Sequence, residues 1–121
     1  MRKLLVIDDE SDICDFVKNF FQERGYSVFT ALNGDEAISL VKREKPEVVL
    51  LDVKMKGMDG IAVLKHIKDI DKKIKVIMVT ALEDRDKMDE ACRLGACEYI
   101  TKPLALDNLE QAVEKNFKLQ L

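Results

Sequence analysis

No apolar stretch in these 121 residues approaches the roughly 18 that would suggest a membrane-spanning helix, and the N-terminus lacks the apolar centre of a secretory signal. A soluble, cytoplasmic protein is expected. Five glycines and two prolines are too few for a Pro/Gly-rich linker, and no repeat or low-complexity tract interrupts the chain. One domain over residues 1–121 is therefore expected, long enough for a real core but without room for a second. An excess of one charge is also missing: 20 basic against 23 acidic residues leave a net charge of −3, so no sequence-wide basic footprint marks a nucleic-acid binder. No Gly-rich phosphate loop for a flavin or nucleotide is present. The three cysteines, Cys14, Cys92 and Cys97, match no zinc spacing and are expected as reduced, packed thiols acting as small hydrophobes. The sole histidine, His66, lies between Lys65 and Lys68, off the apolar positions of its segment, and reads as solvated; a phosphotransfer histidine needs a helical-bundle setting.

What the chain does contain is a series of short, unbroken, β-branched-rich runs. Leu4–Ile7, Val48–Leu51 and Val76–Val79 have the pattern of strands buried on both faces, which implies a parallel sheet covered by helices. Tyr26–Ala31 and Cys97–Thr101 supply two further strands. Between them the spacing turns helical. Ile13, Phe16, Val17, Phe20 and Phe21 form one apolar stripe, closed by Gly25 as a C′ residue. Asn33 and Glu36 read as a capping box before Ala37, Ile38 and Val41. Asp59 and Gly60 open a helix carrying Ile61, Leu64 and Ile67, and two more are marked by Met88, Ala91 and Leu94 and by Leu106, Leu109 and Val113. Strand followed by helix five times over predicts an α/β, doubly wound parallel sheet.

Polar residues close the apolar runs: Asp8 and Asp9 after LLVI, Asp52 after VVLL, Thr80 after VIMV, and Lys102 after YIT. Residues just past such strands converge on one sheet edge, where open α/β sheets bind ligands. Any one acid there could be a solvated cap; the constellation points to chemistry. Carboxylates brought together repel unless a cation or protons intervene. With only oxygen ligands on offer, a hard cation such as Mg2+ fits better than a soft metal. Thr80 and Lys102 add a hydroxyl and a positive charge, which suit a phosphoryl group and leave one carboxylate as nucleophile.

The motifs LLVIDDE, VVLLDVKMKGMDG, VIMVTA and LGACEYITKP together resemble the receiver domain of two-component response regulators, over essentially the whole chain. The resemblance implies a flavodoxin-like five-stranded sheet of order 2-1-3-4-5 with five helices. It implies Asp52 as phosphoacceptor, with Asp9 and Asp52 as direct Mg2+ ligands, Asp8 as a ligand through water and the Lys54 carbonyl as a further one. Thr80, Lys102 and the Ala81 N–H are implied as phosphate contacts, Tyr99 as the switch aromatic, and Lys102-Pro103 as a cis peptide. A signalling phosphoacceptor rather than an enzyme is expected, phosphorylated by a sensor histidine kinase and switching the surface of the fourth helix, last strand and last helix. Lys54 is expected to point beside Asp52 by strand alternation and to contact the phosphoryl group.

Two residues depart from the family pattern. Lys56 stands where proline is usual, although Gly57 still permits a tight turn, and Ala105 stands where a polar cap usually precedes the last helix. The chain ends soon after that helix, so it reads as a stand-alone receiver or a piece of a longer regulator. Gln111 and Glu114 stand where winged-helix regulators carry arginine. The run LLDVKMKGMDGIAVLKHIKDID is similar to sporulation phosphorelay receivers, which pass phosphate to a histidine phosphotransfer protein. Docking beside the site is expected around Ser11, Ile13, Phe16 and Leu104. The alternatives are a haloacid-dehalogenase-type phosphohydrolase, disfavoured because it uses a DxD pair on its first strand, and a flavodoxin-like binding module, which has no use for Asp52, Thr80 and Lys102 together.

Overall fold

The computed structural model describes residues 2–81, 85–96 and 98–118. In chain order the elements are β1 (Lys3–Ile7), α1 (Ser11–Gln22), β2 (Ser27–Ala31), α2 (Gly34–Glu44), β3 (Val48–Asp52), β4 (Lys54–Met55), β5 (Met58–Asp59), α3 (Gly60–Ile70), β6 (Lys75–Thr80), α4 (Arg85–Arg93), β7 (Glu98–Thr101) and α5 (Leu106–Lys118). Five of the strands form one sheet, ordered β2-β1-β3-β6-β7, with every pair parallel. Counted among the long strands alone this is the expected 2-1-3-4-5 order of a flavodoxin-like fold. The pair β4 and β5 forms a separate antiparallel hairpin.

Alternation of side chains along the strands sorts the core into two layers. Leu5, Ile7, Val49, Leu51, Val76 and Met78 pack with residues of α2, α3 and α4. Leu4, Val6, Val48, Leu50 and Ile77 pack on the other face with residues of α1 and α5. Every residue of β3 is buried, as expected for a central strand whose two faces are both covered.

The local signals act largely as the residue types dictate. Gly25 adopts φ +88°, its N–H meets the Gln22 carbonyl at 3.1 Å and the Tyr26 N–H meets Phe21 at 3.1 Å, the two bonds of a Schellman closure. The Asn33 side chain accepts the Glu36 N–H at 2.8 Å. The return bond of that cap falls one residue early, from the Leu32 N–H to Glu36 Oε1 at 3.0 Å. Ala105 brings no side-chain acceptor to α5, and its carbonyl receives the Leu109 N–H at 3.0 Å.

Three expectations need correcting. Phe16 does not belong to the buried stripe of α1: it is 50% exposed, and the buried positions are Cys14, Val17 and Phe21, a narrower face because only one side of α1 meets the sheet. The cysteines do not all behave as packed thiols. Cys14 is free and buried, whereas Cys92 is disulfide-bonded and exposed; the expectations for Cys97, as a packed thiol and as the first residue of the last strand, lie outside the described residues. His66 is exposed, as its sequence setting suggests. Finally, Lys54 is not on the same strand as Asp52. β3 ends at Asp52 and a bend at Val53 precedes β4, so strand alternation does not set the direction of Lys54.

That bend is held by close packing against α3. The Gly60 N–H meets the Val53 carbonyl at 3.0 Å, and a Cβ at Gly60 would lie 2.5 Å from the Asp52 carbonyl oxygen and 2.8 Å from Val53 Cα. Backbone cannot retreat cheaply, so overpacking is unavoidable. Gly60→Ala is expected to destabilise the protein by about 2–3 kcal/mol in urea unfolding; a loss within ~0.5 kcal/mol, typical of surface changes, would contradict the packing.

Candidate phosphoacceptor site

Parallel pairing brings the ends of four strands to one edge. Ile7 is level with Leu51, Asp52 with Val79 and Thr80 with Thr101, so Asp8, Asp52, Thr80 and Lys102 gather there from four separate segments. Asp8 and Asp52 are 4% and 3% exposed, Asp9 is partly buried and Glu10 is exposed. A cleft of about 450 Å3 opens above them, lined among others by Asp9, Glu10, Asp52, Lys54, Lys87 and Lys102.

The carboxylates are held by specific donors. Asp8 Oδ1 accepts the Glu10 N–H at 2.9 Å. Asp52 Oδ1 accepts the Lys54 N–H at 3.2 Å, while Lys102 Nζ donates to Asp52 Oδ2 at 3.2 Å. Asp9 Oδ2 accepts the Lys56 N–H at 2.9 Å. The backbone N–H of Lys102 donates to the Thr80 carbonyl at 2.8 Å, tying the ends of β6 and β7 together. The Thr80 hydroxyl is buried and donates to the carbonyl of Ala81 at 3.0 Å. Tyr99 is 56% exposed and lines a groove with Pro103, Gln111 and Lys115 on the β7–α5 side. The Lys102-Pro103 peptide is cis.

Burial dominates the electrostatics. It pushes Asp8 up to about 6, against the pull of the Glu10 N–H and with help from the negative charge of Asp52. Burial also raises Asp52, opposed by Lys102 and the Lys54 N–H. For Lys102 burial acts downward, but the bond to Asp52 and the charges of Asp52, Asp8 and Glu10 outweigh it and hold the ammonium above its ordinary value. The site therefore carries buried negative charge that one lysine only partly offsets.

The donor set suits a hard cation. Oxygens of Asp8, Asp9 and Glu10 lie within 4.8 Å of one another, Asp52 lines the same cleft as Asp9 and Glu10, and oxygen-only coordination is what Mg2+ takes. Sequence reasoning identified Asp8, Asp9 and Asp52 but passed over Glu10, Lys87 and the Lys56 N–H. Glu10 directly follows the two aspartates and could have been noticed. Lys87 reaches the cleft from α4, on a different crossover, and no local pattern announces it.

The chain belongs to the response regulator receiver domain family, whose pattern matches residues 4–114. It is thus a receiver domain of two-component signalling. It is similar to the sporulation initiation phosphotransferase F of Bacillus subtilis (strain 168), with 41% identity over 118 residues, covering 98% of this chain and 95% of that protein. It also resembles the transcriptional regulatory protein ZraR of Escherichia coli (strain K12), 38% identical over 112 residues, but spans only 25% of that relative. Among solved structures, a response regulator receiver domain protein from Clostridium thermocellum superposes with a TM-score of 0.93 at 32% identity, covering 99% of this chain and 97% of that one.

The raised Asp8 has a measurable consequence. Its native value of about 6 lies above the ordinary 3.8, so the native state binds the proton more tightly. Stability from this group is present below about pH 4 and is lost as pH rises through about 6. Asp8→Asn cannot ionise and escapes that loss. In metal-free buffer its stability relative to the parent should improve by up to about 2 kcal/mol between pH 4.5 and pH 7.5. Urea unfolding of both proteins at the two pH values checks this, and an advantage independent of pH would show that Asp8 does not titrate in the way its burial implies.

Proposed function

We propose that this receiver accepts a phosphoryl group on Asp52 in a Mg2+-dependent reaction with a sensor histidine kinase. The observation that carries the reading is the buried Asp52 carboxylate, ion-paired to Lys102 at 3.2 Å at the floor of a cleft that Asp9 and Glu10 also line. In the reaction an Asp52 oxygen attacks the phosphorus of a phosphohistidine. The P–O bond forms as the P–N bond breaks, and the electron pair stays on the imidazole, which takes up a proton from solvent. Asp8, Asp9, Asp52 and the Lys54 carbonyl would hold Mg2+, which would neutralise charge on the phosphoryl oxygens.

Lys102 is already in contact with the nucleophile, so it can follow the charge onto a phosphoryl oxygen with little rearrangement. The Ala81 N–H adds a second donor. Thr80 has further to go: its hydroxyl turns from the Ala81 carbonyl toward the phosphoryl group, and the vacated space admits Tyr99 from its exposed position. That exchange alters the α4–β7–α5 surface, a two-state switch biased by new charge-assisted bonds. Kinase and relay partners would dock beside the cleft on Ser11, Ile13, Phe16 and Leu104. The half-exposed Phe16 supports that reading, since a large aromatic left half in solvent suits a docking surface.

Within the receiver class, the role of a phosphorelay intermediate passing phosphate to a histidine phosphotransfer protein is favoured by the similarity to a sporulation phosphotransferase along nearly its whole length. Lys54 lines the cleft with Asp52 and Lys102. An ammonium there can pair with a phosphoryl oxygen and obstruct the approach of a hydrolytic water, whereas a partner histidine brings its own positioned nucleophile.

Two measurements test these roles. Asp52→Asn is expected to fold and to take up no phosphoryl group when treated with acetyl phosphate and Mg2+, while the parent gains one by intact mass; equal labelling would remove Asp52 as the acceptor. Lys54→Asn is expected to lose its phosphoryl group roughly 10-fold faster, about 1.4 kcal/mol in the barrier. Equal half-lives of the two purified phosphoproteins at the same Mg2+ concentration would remove Lys54 from the mechanism.

A further inference from the structure

The turn between β4 and β5 makes a contact that a proline at position 56 could not make. The Lys56 backbone N–H donates to Asp9 Oδ2 at 2.9 Å across 47 residues of sequence, joining the hairpin after Asp52 to the loop after β1. Proline has no N–H to give. Yet the turn itself would accept proline: Lys56 is not among the positive-φ residues and Gly57 follows at φ +70°, the signs of a type II turn, whose first central position favours it. Met55 before it is in a strand, the conformation a following proline prefers. What a residue other than proline adds here is therefore the donor.

Asp9 is only partly buried, and an unrestrained carboxylate at the rim of a cleft samples several rotamers. With one oxygen engaged by a backbone donor, the second remains available to a cation, and the ordering that coordination requires is largely complete beforehand. We propose that the Lys56 backbone N–H positions Asp9 for divalent-cation binding, with no part played by the lysine side chain. The inference rests on Asp9 being a cation ligand, as proposed above.

Lys56→Ala keeps the donor and removes the side chain, whereas Lys56→Pro removes the donor and keeps the turn. By titration calorimetry with MgCl2, Lys56→Ala should bind within about twofold of the parent, and Lys56→Pro about 5-fold more weakly, ~1 kcal/mol. In EDTA the proline variant should unfold at a lower urea concentration than the parent, since proline placed at a hydrogen-bonded N–H destabilises; a merely structural role predicts that loss without the weaker Mg2+ binding. A second reading needs no metal and no proline variant: Asp9→Ala should speed hydrogen exchange of the Lys56 amide about tenfold in EDTA, about 1.4 kcal/mol of lost protection. Equal Mg2+ affinity of the alanine and proline variants, or a Lys56 amide indifferent to Asp9→Ala, would overturn the inference alone. Absence of Mg2+ binding by the parent would overturn the ligand role of Asp9 and this inference with it.

Discussion

Burial of the Asp52 carboxylate at the end of the central strand is the constraint to which the rest of the site answers. A charge so placed loses its hydration, and three other acids from the loop after β1, Asp8, Asp9 and Glu10, crowd the same edge. Lys102 returns part of that energy through its bond at 3.2 Å, but its own side chain is 39% exposed, so water weakens the pair. Negative charge is left in excess by design of the fold, since β1 and β3 are neighbours, β3 ends in Asp52 and Asp8 directly follows β1. A site in this condition gains from any added positive charge and from any reaction that spreads the carboxylate charge onto groups reaching into solvent.

The same edge couples the site to the molecular surface. Lys102 holds Asp52 with its side chain and Thr80 with its backbone, so the ends of β3, β6 and β7 share one residue. Thr80 and Tyr99 lie on the two strands that this residue joins. In the proposed switch, a change in charge at Asp52 reaches the β7–α5 face through these contacts, without a long chain of intermediates.

Support beneath the site is steric rather than electrostatic. Gly60 lets the start of α3 touch the Asp52 and Val53 backbone, and the Asp59 side chain closes that helix end by accepting the Ile61 N–H at 2.9 Å. The chain must leave β3 sharply to make room, which produces the bend at Val53 and the short β4–β5 hairpin. This hairpin sends the Lys56 N–H to Asp9. The two acidic segments of the cleft are thus braced against each other by backbone groups whose positions follow from the packing of α3.

The sequence by itself determined the five long strands, the five helices and the residues at their ends, because these depend on near-neighbour properties: unbroken β-branched runs, helical spacing, a cap at Asn33 and a closing glycine at position 25. It also placed Asp8, Asp9, Asp52, Thr80 and Lys102 at one edge, since a parallel sheet puts the ends of its strands together. Only the tertiary structure decided what those groups touch. Phe16 fits a helical stripe but faces outward, because the width of the buried face is set by how α1 sits on the sheet. Lys54 follows Asp52 by two residues but starts another strand, because α3 forces the bend between them. The pairing of Asp9 with Lys56 and of Asp52 with Lys102 joins segments far apart in sequence, and a periodic pattern carries no information about which side-chain oxygen meets which distant N–H.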